Sequence, residues 1–498
     1  MHHPAMTASR FARLFLIAAS LLGAKDMRPQ QPFDMDTTFR APIDTWYVSS
    51  IAPMPDGDVL LSGQIRFPGD PIGTFRLLAR VDASGQPVAG FPYGYGGGKL
   101  VEWNGRFYVL NNQIVRRIWP DGTTDTDFIS MNLGPYFSSL QGGDYHVYPD
   151  GRILMSGVHQ LLDSIRGYEG LYCLCWFSNT GYLDTIKTHR QCAGSLDFFR
   201  ELPDGKFIGS LGNPPNTASW EGTPTGSNVI RFNADGEWDS TFQANVWWGT
   251  AYRFLPLADG RVYASGAFRI TGITDTLRLV RFMPDGSLDL TFNNYLNFQS
   301  VELSGSAGAV VGGVLALDEG RLIVTGAFEL VEGESRQGIC LIDTSGNLLN
   351  DYFNGPGCGD YTYQSFTYGG TEGIVPAPDG SYYIWGAYHG YDDGTTNDTL
   401  QRMVSRLYGF NVGLGEDQEP HMQVTAHPNP GGDRIRFNGL AESDPVQVGV
   451  FDARGVLVLQ AQVQLNEALG VSGLNPGFYV MVLRTEGGRV HRVKWVKE

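Results

Sequence analysis

Long apolar runs, a basic block, helix-period patterning and the familiar catalytic motifs are all missing from this 498-residue chain. No stretch of 18 or more apolar residues occurs, which excludes a membrane-spanning helix. Charged residues make up only 18%, and 36 Lys and Arg face 52 Asp and Glu, a formal net charge of −16. With no compensating basic cluster outside the extreme C-terminus, that balance argues against a nucleic-acid backbone or an anionic lipid surface as partner. The nine histidines form neither an HExxH motif nor any other paired spacing, so metal catalysis is not indicated and no metal site is assigned. The glycine run YGYGGG at 93–98 lacks the strand-then-helix setting of a phosphate loop and reads as a connection.

What the chain has in quantity is turn formers and aromatics. Gly numbers 65 and Phe, Trp and Tyr together reach 12%, a composition that fits β-structure. At the N-terminus Arg10 and Arg13 precede the short apolar run FLIAASLLGA at 15–24, the layout of a secretory signal peptide over residues 1–24. Leu22 is unusual for a cleavage end after Ala24. No Cys follows the run, so a lipoprotein anchor is not expected.

The line RFMPDGSLDLTFN at 281–293 repeats RFNADGEWDSTF at 231–242. Aligned on Asp-Gly, the chain shows a unit with two turns. The first joins two apolar runs, as in LPLADGRVYASGAF (255–268), LALDEGRLIVTGAF (315–328) and VPAPDGSYYIWGAY (375–388). Asp-Gly between alternating runs is a hairpin signal, because Gly supplies positive φ and Asp a side-chain acceptor. The second turn precedes a short strand ending in Asp-x-x-Phe. Seven such units, each of four short strands, are expected at about 41–91, 92–128, 135–188, 190–242, 245–293, 300–354 and 362–410. Four-stranded units in radial array make a β-propeller. The expected fold is therefore all-β: a seven-bladed β-propeller over 33–410 and, after it, a small C-terminal antiparallel β-sandwich.

The recurrent Asp56, Asp121, Asp150, Asp204, Asp235, Asp259 and Asp285 read as turn formers, and Asp127, Asp239 and Asp289, ahead of Phe128, Phe242 and Phe292, as packing or hydrogen-bonding positions. Catalytic residues in a ring would be unique, not repeated. The last unit ends at SRLYGF without its closing strand, whereas FDMDTTF at 33–39 matches the missing piece. Residues 34–39 are expected to pair antiparallel with 403–408 and close the ring.

The pattern PDGxhhhxGxF followed by LhRhxxDGxLDxxFN (h apolar) resembles the delta-60 repeat of bacterial secreted proteins, whose modules are regarded as propeller-forming and share no catalytic residue. Residues 411–420, NVGLGEDQEP, have linker composition, and 421–498 alternate apolar and polar residues across Gly-marked turns. This end carries Pro428-Asn429-Pro430, Phe451-Asp452 with Gly455, Gly477 within 474–479, and the basic Arg489, Arg492, Lys494 and Lys497. On these residues it resembles the type A C-terminal sorting domain of the type IX secretion system of Bacteroidota. The resemblance implies the type IX machinery as partner, passage across the outer membrane, removal of the domain, and release or surface attachment.

Candidate sites are few. Trp220, Trp247 and Trp248 either stack on sugar rings or pack between repeats, with packing preferred. The segment YDDGTTNDT at 391–399 has oxygen ligands enough for Ca²⁺ but reads first as a polar turn, so no cofactor is assigned. The repeat register places Cys175 and Cys340 alike on third strands, each followed by one more cysteine, so disulfides Cys175–Cys192 and Cys340–Cys358 are expected, with Cys173 competing for Cys192. The functional expectation is a non-enzymatic binding module for an extracellular protein or glycan. The alternative is a carbohydrate-active enzyme with an acid pair in the central funnel.

Overall fold

A computed structural model describes residues 30–498 except 93, 112, 130, 132–135, 166, 185, 188, 213–215, 301–307, 318–319, 411–423, 439–445, 453–455, 465–466 and 485–489. The expected signal peptide at 1–24, the expected linker at 411–420 and Gly455 lie outside the described residues. The chain divides into two compact units, 1–414 and 415–498.

Among the described residues there is no helix. Beside three small sheets, at Ser219–Trp220 with Thr223–Pro224, at Phe298–Gln299 with Leu330–Val331 and Glu334–Ser335, and at Tyr361–Tyr363 with Phe366–Tyr368, seven larger antiparallel sheets follow one another along the first unit. Their first three strands run Thr45–Pro53, Val59–Arg66 and Arg76–Val81 in the first sheet, and Gly97–Trp103, Arg106–Asn111 and Ile114–Ile118 in the second. The third has Phe137–Val147, Ile153–Asp163 and Tyr168–Phe177; the fourth Leu196–Glu201, Phe207–Leu211 and Val229–Phe232. The fifth has Val246–Pro256, Val262–Ile270 and Leu277–Phe282; the sixth Val310–Leu317, Arg321–Ala327 and Ile339–Asp343; the seventh Gly370–Pro376, Tyr382–Asp392 and Asn397–Leu407. Each first strand packs on the first strand of the next sheet, and Gly370–Pro376 packs back on Thr45–Pro53.

The sequence dictates this arrangement in two ways. Middle strands are apolar on both faces because each sheet is covered on both sides. In the fifth sheet Val262, Ala264 and Phe268 pack toward Ile208 and Val229 of the fourth, while Tyr263 and Leu279 pack toward Leu322 and Val324 of the sixth. Each such side chain contributes about 1.5–3 kcal/mol by leaving water. The Asp-Gly turns then set the register. In the 257–261 turn Leu257 N donates to Arg261 O (2.8 Å), Gly260 has φ +85°, and Asp259 Oδ1 accepts from Arg261 N at 3.1 Å. Asp56, Asp121, Asp150, Asp204, Asp235 and Asp285 accept from the backbone two residues on in the same way, so they are turn formers.

The fourth strand is shorter than the repeat suggests. In most sheets it shrinks to a single bridge, such as Phe282 to Leu288 or Phe232 to Trp238; in the sixth it keeps Leu348–Leu349. An aspartate ends it. Asp289 Oδ1 accepts from Thr291 N and Oγ1 (2.9 and 2.6 Å), and its Oδ2 receives Arg281 Nε at 2.7 Å. Asp239 repeats this with Thr241 and Arg231. In the second repeat the role falls to Asp125, paired with Arg117, and not to Asp127, which is 73% exposed at the side chain. The correct register counts three residues back from the Phe, to Asp125 from Phe128.

The same arginines strap one sheet to the next. Arg281 Nη1 donates to Thr344 O (2.6 Å), Arg117 Nη1 to Asn179 O (2.6 Å) and Arg231 Nη1 to Pro284 O (2.6 Å), each acceptor lying in the following repeat's second turn. The turn glycine completes the joint: Gly286 has φ +90° and a Cβ there would sit 2.5 Å from Gln243 N, whose N–H donates to Asp285 O. Only glycine fits.

The ends of the array join antiparallel, over 33–36 and 406–408 and so along a shorter stretch than the expected 34–39 with 403–408. Phe33 N donates to Tyr408 O (2.8 Å), Tyr408 N to Asp34 O (2.9 Å) and Asp36 N to Arg406 O (2.8 Å), with Met35 opposite Leu407. Phe33 also packs among Tyr352, Phe353, Tyr382 and Phe410 at ring separations of 4.8–5.2 Å.

In the second unit two small antiparallel sheets share one core. One joins Thr425–His427, Arg434–Asn438 and Leu469–Gly470; the other joins Leu457–Val463, Val446–Asp452, Gly477–Arg484 and Val490–Lys497. Ile435, Val448, Met481, Leu483 and Trp495 fill the space between.

The five cysteines stand here as free thiols, and the strand faces set the partners of both expected pairs apart. A β-bulge explains the first. Cys173 N and Leu174 N both donate to Arg190 O (2.8 and 3.2 Å), so Tyr168–Phe177 carries one residue more than the segment at Arg190; across its other edge Gly157 and Val158 stand opposite Cys173 alone. The extra residue breaks the two-residue period. Cys175 therefore packs with Met155 and Phe177 toward the second sheet, and Cys173 with Leu196 and Phe207 toward the fourth, beside Cys192. In the sixth sheet Cys340 faces Phe292 and Leu279, while its neighbours Ile339 and Leu341 share the opposite face with Cys358. Strand alternation thus keeps Cys340 and Cys358 on opposite sides of the sheet.

Candidate functional site

The seven first strands surround two adjoining cavities, of about 380 and 470 Å³, that share Phe198, Tyr252, Arg253 and Glu372. The strands reach this position because their middle-strand partners hold them through Asp-Gly hairpins, and because the serine of the second strand grips the neighbouring first strand. Ser62 Oγ accepts from Gly97 N (2.9 Å) and Ser210 Oγ from Ala251 N (2.9 Å).

One wall is aromatic. Phe198 and Tyr252 meet edge to face at 5.7 Å, and Arg253 lies over Phe198 at 5.6 Å while donating through Nη1 to Tyr252 O at 2.9 Å. Tyr47 and Trp385 border the larger cavity. Charged groups complete it. Lys99 Nζ bridges Asp144 Oδ1 and Tyr145 O, both at 2.7 Å. Glu372 is solvent-accessible but enclosed by the ring of strands, and desolvation there raises its carboxyl above the ordinary value, opposed by the positive charge of Arg253. Burial, and then the Glu372 charge, raise the Tyr47 hydroxyl. A site with apolar faces and a few convergent charged groups is what small ligands use.

Of the sequence candidates, none borders these cavities among the described residues. Trp220 is 1% exposed, stacks on Phe232 at 5.4 Å and donates Nε1 to Gly236 O at 3.0 Å, so it is a packing residue and is unavailable to a ligand. Trp247 and Trp248 are half-buried on Val246–Pro256, with Arg269 over Trp248 at 5.2 Å. In 391–399 Asp393 Oδ1 accepts from Thr395 N, Thr395 Oγ1 and Thr396 N, all at 2.7 Å, and its Oδ2 from Met35 N at 2.8 Å. Asp398 is ion-paired to Arg40 at 2.7 Å. These carboxylates hold the turn and the N-terminal segment.

Sequence reasoning missed the channel residues, yet a signal exists. They stand seven or eight residues ahead of the first turn's glycine: Asp144 before Gly151, Phe198 before Gly205, Arg253 before Gly260, Glu372 before Gly380.

In the second unit the Pro428-Asn429-Pro430 segment is fastened to the last strand. Asn429 Nδ2 donates to Lys494 O (2.9 Å), Asn429 Oδ1 accepts from Val496 N (3.0 Å), and Trp495 Nε1 donates to Pro428 O (2.8 Å). Lys494 itself is exposed, and Gly477 opens the strand Gly477–Arg484. Residues 425–498 match the secretion system C-terminal sorting domain, and 217–242 with 257–292 match the domain of unknown function (DUF5122) β-propeller. The chain carries DUF5122 β-propeller repeats and a type IX sorting domain.

The sorting domain makes it a secreted or cell-surface protein and implies engagement of the type IX machinery. Among the described residues no helix is long and apolar enough to cross a membrane. No curated protein matches the chain. Similar solved structures include the extracellular domain of a hybrid two-component system from B. thetaiotaomicron, at 11% identity and TM-score 0.41, covering 94% of this chain and 60% of that one. PorZ, a surface component of the type IX secretion system of Porphyromonas gingivalis, is similar at 12% identity and TM-score 0.36, covering 89% and 64%. BamB from Moraxella catarrhalis follows at 12% and 0.32, covering 76% and 98%. The chain thus spans less than two thirds of the length of the first two.

Proposed function

We propose that this protein is an exported, seven-bladed β-propeller that acts as a binding module, with the central channel and the loops at its mouth receiving an extracellular protein or glycan ligand. In this reading residues 1–24 are the signal peptide, 33–410 the propeller, 411–420 the linker and 421–498 a β-sandwich sorting domain. The observation that carries it is the channel wall. Phe198, Tyr252, Tyr47 and Trp385 offer faces on which a sugar ring or a peptide side chain can lie, next to Arg253 and Glu372. The mature protein on glycan and protein arrays tests it: Tyr252→Ala and Arg253→Ala should each weaken the ligand found by tenfold or more. Silence across both arrays, or binding indifferent to both substitutions, would remove the channel from consideration.

A second reading rests on two carboxyl groups bordering one cavity. Glu372 has its carboxyl raised by desolvation, and Asp144 is ion-paired to Lys99. Glycoside hydrolysis uses one carboxyl kept protonated and one charged. Polysaccharide turnover abolished by Glu372→Gln, with binding retained, would favour the enzyme over the binding module.

A further inference from the structure

The bulge in Tyr168–Phe177 turns Cys173 toward the segment that leads into the fourth sheet. Arg190 O receives two N–H groups from the bulge, and Arg190 N donates to Leu174 O at 3.0 Å, so the chain two residues later is held alongside. Cys192 sits there, bridged to Trp220 and packed against the cluster that contains Cys173. The two cysteines share one packed cluster, and burial, then the neighbouring Cys192, push the Cys173 thiol well up. Cys173 is buried, whereas Cys192 is partly accessible.

We propose that Cys173 and Cys192 form a disulfide in the exported protein, stapling the third sheet to the segment entering the fourth. Export gives the chain access to an oxidising compartment. The oxidant is a disulfide, either a periplasmic exchange protein or oxidised glutathione in vitro. The Cys192 thiolate attacks one oxidant sulfur, forming a mixed disulfide and releasing the other as a thiolate. The Cys173 thiolate then attacks Cys192 Sγ, the mixed bond breaks, and the second oxidant sulfur leaves as a thiolate. Two protons pass from the protein thiols to these, and the two electrons reduce the oxidant's S–S bond. Cys175, Cys340 and Cys358 stay as thiols, because each faces away from any partner cysteine.

The test is tryptic mapping of the full mature chain, incubated with oxidised glutathione, blocked with iodoacetamide and kept non-reduced. Trypsin separates 167–187, which holds Cys173 and Cys175, from 191–200, which holds Cys192. The expected product is the linked pair of peptides, two mass units below their sum, with fragment ions placing the bond at Cys173. The link should persist in Cys175→Ser and vanish in Cys173→Ser. Fragmentation of the wild-type pair needs no variant, so a poorly folding Cys173→Ser does not spoil the test. A bond placed at Cys175, or five alkylated thiols after the oxidant treatment, would overturn the proposal.

Discussion

Asp36 stands to Arg406 as Asp289 stands to Arg281. Asp36 Oδ1 accepts from Thr38 N and Oγ1 at 2.9 and 2.6 Å, the distances found for Asp289 and Thr291, and Asp36 Oδ2 lies 3.3 Å from Arg406 Nη1. One repeat is therefore completed from both ends of the array. Removing residues 33–39 strips a ladder, a buried ion pair and the Phe33 cluster together. A lower melting temperature of the propeller, with faster amide exchange across 403–408, is the expected outcome; an unchanged melting curve would refute the closure.

Two glycines of nearly equal φ should respond differently to alanine. Gly286 at +90° is pressed against Gln243, whereas Gly272 at +86° has nothing within 4 Å of a built Cβ. Gly272→Ala should cost about 1 kcal/mol, from backbone strain alone. Gly286→Ala should cost at least ~3 kcal/mol, because the joint between the fourth and fifth sheets must open. Urea unfolding of the two variants measures the difference.

Acid should weaken the straps. Burial pushes the Asp289 carboxyl up, but Thr291, Arg261 and Arg281 outweigh it and hold it well below the usual range; Asp239 is lowered likewise against burial by Lys206, Thr241 and Arg231. A folded-state pKa below the unfolded value of about 3.9 gives stability that is complete above pH ~4–5 and lost as pH falls. Asp289→Asn should cost about 3 kcal/mol at neutral pH, since it leaves buried Arg281 without its counter-charge, and should flatten the acid limb. An acid limb identical to wild type would contradict this assignment.

Trp220 and Tyr252 separate stability from binding. Trp220→Ala should destabilise by about 3–5 kcal/mol and leave ligand affinity of the folded protein unchanged. Tyr252→Ala should do the reverse. Calorimetric melting alongside titration of the array-identified ligand checks both.

The repeat architecture was legible because Asp-Gly turns and Asp-x-x-Phe endings have local causes: a positive φ, a side-chain acceptor, an arginine eight residues earlier. Closure by 34–39 followed from the same register. Misreadings arose where one residue altered the count. Asp125, not Asp127, stands three residues before Phe128, and the bulge of Cys173 and Leu174 against Arg190 reverses a strand face that simple alternation preserves. The channel was obscure for another reason. Its residues differ from sheet to sheet, so the repetition that exposes the scaffold hides whatever the scaffold serves.

The joining of the two ends also fixes an order of events. Residues 33–39 precede every sheet in the chain, yet their partner Asn397–Leu407 is the last strand of the array. In synthesis or export, the first piece to emerge is among the last to be placed. Each earlier hairpin can form locally while the seventh sheet still shows an unpaired edge, and the contact of longest range is expected to form slowest. Until it forms, that edge is open to a strand from another copy. Loss of residues 33–39 would leave it open permanently, so this segment keeps molecules apart as well as closing the array.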